Sequence, residues 1–150
     1  MAIHYGKLVY FASPFTHADK AVRDERNRAI ARACGWFMNN RRDIFFFSPI
    51  THATPIAAEC ALPYEWQFWA EIDECMVSRC EEIWVLAIPG FKKSTGVNAE
   101  KKIAERLGLP CKWVIPQEDG SYVISDTEPE DAQADENRVL EANGTATSGH

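Results

Sequence analysis

Two carboxylates stand out by residue type and spacing. Glu100 lies where Val97, Ile103, Ala104 and Leu107 recur at helical spacing, on the side of the apolar stripe shared by Val97 and Ala104, so its carboxyl should be partly stripped of water. One turn into a helix that follows a strand-end loop, it is aimed toward the crevice where such domains bind ligands. Asp73 follows Trp69 by one helical turn and stands one residue off its helix's apolar line, at the rim of the core beside an aromatic wall. Two carboxylates facing one pocket suit nucleophilic or acid–base work at an acetal-like carbon. Each also has a plain reading: Glu100 as an acid in a first helical turn favoured by the dipole, Asp73 as an exposed helical residue.

Other groups gather around them. Ser94-Thr95-Gly96 brings hydroxyls and free backbone N–H groups to the positive end of the Glu100 helix, with Lys92 and Lys93 nearby, a setting that suits an anion such as phosphate. The same residues read equally as a Ser N-cap followed by a flexible Gly. Ser48-Pro49-Ile50-Thr51-His52 brings hydroxyls and an imidazole to another strand end, where His52 either meets a phosphate or base or faces water. Tyr64, Trp66 and Trp69 could stack on a planar base or pack in the core. No Walker motif and no Gly-x-Ser-x-Gly elbow is present. Cys75 and Cys80 point to different helix faces and no Cys-x-x-Cys or His-x-x-x-His pair occurs, so neither a metal nor a cofactor is expected.

These residues need a scaffold. Leu8 to Ala12, Ile44 to Phe47, Ile83 to Ile88 and Cys111 to Ile115 are short apolar runs closed by Ser-Pro, Pro-Gly or Pro, the mark of buried strands. Between them fall helices: one from a Thr16/Asp19 capping box to about Asn39, carrying Arg23, Arg26, Arg28 and Arg32 mostly on its wet face; one from Pro63 to about Cys80, with Phe68, Trp69, Ile72, Cys75, Met76 and Arg79 along one side; and one from Val97 to Leu107, ended by Gly108. Residues 50 to 62 follow no period. Alternation of continuous apolar strands with helices predicts an α/β domain, a doubly wound parallel sheet of four to five strands in three α/β/α layers, with its ligand crevice beyond the carboxyl ends of the strands. Ser121 to Ile124 fits a short extra strand.

Composition sets the limits. The 150 residues, 46% hydrophobic and 25% charged, make one ordinary domain. The formal charge of −6 is uneven: residues 117–150 hold nine acids and one base, and residues 1–116 hold 13 acids and 15 bases, so the body can accept an anionic ligand. Residues 126–150 are acidic, poor in large apolar types and expected to be disordered, leaving 1–125 as the catalytic domain. Removal of 127–150 is therefore expected to leave activity intact. No signal peptide, no membrane span and no nucleic-acid motif is read, and five cysteines suggest reduced thiols in a cytoplasm.

Val9-Tyr10-Phe11-Ala12-Ser13-Pro14-Phe15, Phe47-Ser48-Pro49, Asp73, Ser94-x-Gly96-x-x-x-Glu100 with Ala104, and Gly108-x-Pro110, in this order over about residues 7 to 116, resemble the nucleoside 2-deoxyribosyltransferase superfamily. The chain is similar in particular to its nucleoside 5′-monophosphate N-glycosidase members and to a bacterial and phage branch with a Ser-Pro-Ile-x-His loop. The resemblance implies a flavodoxin-like sheet, a homodimer or larger homo-oligomer, and cleavage of the bond between a nucleobase and C1′ of a (deoxy)ribose. Glu100 would attack C1′, Asp73 would orient it or handle the leaving base's proton, and Tyr10 would hydrogen-bond near the nucleophile. Ser13, Pro14, Phe15, Ser48, His52, Trp69, Ser94 and Gly96 form the expected substrate-binding set.

Family transferases acting on free nucleosides carry an acid at the position of Ser94; the nucleotide hydrolases carry Ser, which accepts a 5′-phosphate. The resemblance therefore favours a monophosphate held by Ser13 and Ser94. The first loop departs from the hydrolases, which often have Gly-Ser followed by Arg where this chain has Ala12-Ser13-Pro14, so a cation there would have to come from Arg23 or Arg26. A neighbouring subunit would complete the pocket, with Ser121, Tyr122 and Ser125 as donors. The competing functions are deoxyribosyl transfer between bases and a non-catalytic nucleotide sensor; a redox flavodoxin-like carrier would need a richer phosphate-cradling first loop.

Overall fold

In β1 (Lys7–Ala12) alternate residues serve opposite faces of one sheet: Val9 and Phe11 join one core layer, Tyr10 and Ala12 the other. The computed structural model describes residues 6–131. It continues through α1 (Lys20–Asn40), β2 (Ile44–Phe47), α2 (Pro49–Cys60), α3 (Trp66–Val77), β3 (Glu82–Leu86), a short turn of 3-10 helix at Phe91–Lys93, α4 (Thr95–Arg106), β4 (Cys111–Pro116) and β5 (Tyr122–Ser125). The strand order is β2-β1-β3-β4-β5, with the first four parallel. Helix α1 covers the Val9 and Phe11 face; α3 and α4 cover the Tyr10 face. This is the three-layer, flavodoxin-like α/β/α architecture expected from the sequence. Its topological switch point lies between β1 and β3, where the chain departs to opposite sides.

Three details differ from the sequence expectation. The extra strand β5 is antiparallel to β4, because the five residues 117–121 suffice for a hairpin turn, with Gly120 at φ 85°, and not for a crossover. The unassigned stretch after Pro49 is α2: Ser48 caps it by accepting from Thr51 N, and Pro49 occupies the first turn. Pro55 inside the helix broke the pattern. In α3, which begins at Trp66 and ends at Val77, the buried residues are Asp73 and Val77, while Phe68 (49% exposed) and Ile72 (45% exposed) face outward. Of the apolar line, Trp69 and Met76 lean inward, while Phe68 and Ile72 form the outer edge.

Smaller shifts have local causes. Helix α1 is capped by Asp19, whose carboxylate accepts from Ala21 N, and not by Thr16. Its Arg28 and Arg32 pair on the wet face with Glu25, but Arg26 is buried. Helix α4 starts two residues early because Ser94 caps it, accepting from Val97 N at 3.2 Å. Gly108, with φ 71°, ends it as expected.

The chain also returns to the body beyond residue 125. Glu128 pairs with Lys101 of α4, Glu130 lies 3.7 Å from Lys92, and the Asp131 carboxylate accepts from the amides of Gly90 and Lys92. Glu128, Glu130 and Asp131, which belong to the segment expected to be disordered, thus contact the body; residues 132–150 lie outside the described residues. Among the described residues no helix is long and apolar enough to cross a membrane, and the five cysteines are unpaired.

Candidate active site

The site lies at the carboxyl ends of β1 and β3. Tyr10 of β1 is fully buried and points to the α4 side, where its hydroxyl donates to Glu100 Oε1 at 2.7 Å. Glu100 is placed by the period of α4, whose buried face is Val97, Glu100, Ile103 and Ala104. The carboxyl therefore sits where an apolar residue would normally be. Asp73 is brought beside it by α3, and the Tyr10 hydroxyl interacts with both carboxyls.

Burial dominates the electrostatics. It pushes Glu100 well above the usual carboxylate range, and the charge of Asp73 acts in the same direction, while the Tyr10 hydroxyl opposes both. Burial lifts Asp73 to about 6, again opposed by Tyr10. The Tyr10 phenol is raised far from its ordinary value by burial and then by the two carboxylates, so it remains a donor. Two acids that cannot both ionise cheaply at one place can divide the roles of attack and proton delivery.

Around the acids is a pocket of about 60 Å³. Ser13 and Phe15 line it from the loop after β1, Trp66, Trp69 and Asp73 from α3, and Ser94, Gly96 and Glu100 from the start of α4. Helix α2 supplies Ile50, Ala53, Thr54 and Ala57, spaced as one helical face. Sequence reasoning missed this wall, although Ser48-Pro49 carries the N-cap and first-turn proline signal that begins a helix. Ser13 Oγ and Trp66 Nε1 are buried and have no hydrogen-bond partner among the described residues, a costly state that a polar ligand would relieve. Trp69 is fixed by its indole N–H, which donates to Pro63 O at 2.9 Å.

Three residues of the expected binding set lie elsewhere. Pro14 is buried beside the pocket without lining it. Ser48 spends its hydroxyl on the α2 cap, and the turn that follows carries the exposed His52 to the outside, where its ring packs on Phe47. Nor do the basic residues converge. Among the described residues no Lys, Arg or His side chain lines the pocket. Arg23 donates to the carbonyls of His17 and Ala18 and lies over the Tyr64 ring. Arg26 donates to the carbonyls of Phe15, Thr16 and Pro89, tying the loops after β1 and β3 together. Lys92 faces Glu130, and Lys93 is exposed. Of the residues suggested for completing a neighbour's pocket, Tyr122 packs on Trp36 and Phe37 of its own core, and the Ser121 and Ser125 hydroxyls bond to Asp119 and to Thr127 O.

Residues 7–114 match the family described as a domain of unknown function, DUF1937, and the chain belongs to it. No curated protein matches the sequence.

The buried acids make stability fall as pH rises. Between the ordinary carboxylate range and about 6 the folded protein keeps protons that the unfolded chain has released, so folding is penalised increasingly across that window and, for Glu100, above it. Thermal unfolding should show a higher Tm near pH 5 than near pH 8, and Glu100→Gln should raise the Tm at pH 8 and flatten the dependence. An unchanged slope in that variant would mean that Glu100 is not the burdened group.

Proposed function

We propose that this DUF1937 protein cleaves the N-glycosidic bond of a nucleoside 5′-monophosphate through a glycosyl ester on Glu100. The observation that carries the reading is the buried Tyr10–Glu100 hydrogen bond beside Asp73, opening on a pocket walled by Trp66 and Trp69. Such indoles suit a flat, apolar nucleobase, and a carboxylate held by one hydrogen bond retains a free oxygen for attack. Glu100 Oε2 has no hydrogen-bond partner among the described residues.

The steps need one proton between the two acids; burial places it on Glu100, and it passes to Asp73 as substrate binds. The Glu100 carboxylate forms a bond to C1′ as the bond from C1′ to the base nitrogen breaks, and the departing nitrogen takes the proton held at Asp73. Asp73, now ionised, accepts a proton from water, whose oxygen adds to C1′ as the ester bond to Glu100 breaks. Tyr10 stabilises the carboxylate on departure. For the 5′-phosphate, the reading rests on the Ser13 and Ser94 hydroxyls and on the first amides of α4, where the helix dipole favours an anion. One observation favours a second reading, base exchange on a free nucleoside: the pocket lining includes two acids and no cationic side chain.

The pocket volume is well below the 300 Å³ or more of most small-molecule sites, so a base enters as the α2–α3 pair gives way. That pair is thinly anchored, burying only Pro49, Ala57, Asp73 and Val77. The outer surface of α3, with Phe68 and Ile72 four residues apart, fits the homodimer we propose alongside the activity.

A panel of nucleoside monophosphates and nucleosides, each incubated with and without a second free base, should release base from the monophosphates without an acceptor. Release that requires an acceptor would overturn hydrolysis in favour of transfer. Glu100→Gln should abolish either reaction. Tyr10→Phe, which removes a hydrogen bond to a charged group worth about 1.5–3 kcal/mol, should slow it roughly tenfold to a hundredfold. Sedimentation should show a dimer that Phe68→Glu with Ile72→Glu converts to a folded monomer; a wild-type monomer at high concentration would remove the dimer.

A further inference from the structure

The turn after β3 delivers the start of α4 to the pocket, and two groups remote in sequence bracket it. On one side Arg26 donates to Pro89 O at 3.2 Å. On the other, the Asp131 carboxylate accepts from Gly90 N at 2.9 Å and from Lys92 N at 3.1 Å. These two amides have no other partner among the described residues, since the turn's internal bonds use the N–H groups of Phe91 and Lys93. Gly90 holds a left-handed φ of 94°, and Asn98 of α4 donates to Lys92 O, which links the turn to the helix it feeds.

The path of the chain to Asp131 is specific. Strand β5 runs away from the site, and Ser125 pairs with Trp113 well inside β4. Six residues later Asp131 is back at the carboxyl end of β3, so the segment reverses and climbs across the α4 side, pinned on the way by Glu128 to Lys101. Glu130 then approaches Lys92 as Asp131 seats on the amides. Charged acceptors on backbone amides are among the stronger hydrogen bonds, and two of them on alternate peptide units of one turn fix its orientation.

We propose that Asp131 is a positioning residue of the site: seated on the Gly90 and Lys92 amides, it sets the turn from which Ser94, Gly96 and the helix of Glu100 enter the pocket. The role rests on the glycosidic reading for its kinetic expression but not for its structural one. It also reverses the expectation that residues 127–150 are dispensable: the boundary of what activity requires lies after Asp131.

The test compares the 1–150 chain with Asp131→Ala, Asp131→Asn, and chains ending at residue 131 and at residue 126. Amide hydrogen exchange should speed up at least about tenfold at Gly90, Lys92 and residues 95–97 in Asp131→Ala and in the 126-residue chain, with exchange in β1 and β3 unchanged. Asp131→Asn, which keeps an acceptor oxygen, should restore part of the protection, and the 131-residue chain all of it. In nucleotide turnover the same two variants should lower kcat by about tenfold, with KM little changed, as expected when a nucleophile rather than a binding contact is displaced. Unchanged exchange at residues 95–97 in Asp131→Ala would overturn the proposal whatever the activity. Faster exchange with full turnover would overturn the positioning role. Absence of base release from the 1–150 chain would count against the glycosidic reading alone, the exchange result still deciding whether Asp131 sets the turn.

Discussion

A carboxyl group kept from water, Glu100 against the Tyr10 hydroxyl, is the constraint around which the rest of this molecule is arranged. Burying it costs free energy that the single hydrogen bond only partly offsets. The cost is tolerable because Tyr10 and Glu100 reside on the two best-supported elements of their layer, a central strand and a helix with three further buried residues. Asp73 adds a second acid at the same place, brought by a helix that buries little else. A layer optimised for stability alone would carry apolar residues at positions 73 and 100. Such local conflict, within a fold whose other choices agree, is the pattern of a functional or strained site.

The pocket sits where a parallel sheet of this order leaves room, between the loops after β1 and β3. Those loops would splay if left alone, and the molecule ties them with charges that do not themselves enter the pocket. Arg26 gathers carbonyls from both loops, and Asp131 gathers amides from the second. Of the positive residues that the sequence offers to an anion, Arg23 and Arg26 hold backbone, Lys92 faces Glu130 and Lys93 is exposed. What remains inside is hydroxyl, indole and carboxyl.

Much of this was legible in the sequence because it rests on local pattern. The strands follow from short continuous apolar runs closed by turn residues, the α4 stripe and the place of Glu100 on it from a spacing of 3.6, and the sheet from their alternation. Two kinds of information lay outside that reach. Helix α2 was hidden by Pro55, which removes one amide and breaks the expected pattern without stopping the helix. The orientation of α3 was legible only in part because amphipathic spacing tells which residues share a face, not whether that face meets the sheet: Phe68 and Ile72 share one, and Asp73 holds the inner position. His52 and Ser48 fell away for the same reason, since a loop residue assigned to a strand end changes direction once the next residue begins a helix. Asp131 could not be foreseen at all, because its partners are backbone amides about 40 residues distant, and nothing in side-chain pattern announces them.

The edge strand β2 has a bearing on how the chain survives its own folding. Ile-Phe-Phe-Phe is uncharged, strongly strand-forming and open to solvent along one side, with Phe45 53% exposed. A longer run of this kind would template pairing between chains. Here it is four residues long, preceded by Arg41, Arg42 and Asp43 and followed by Ser48 and Pro49. Charge on one flank and a proline on the other act as gatekeepers, so a segment hydrophobic enough to hold the edge of the sheet is kept too short and too interrupted to seed aggregation.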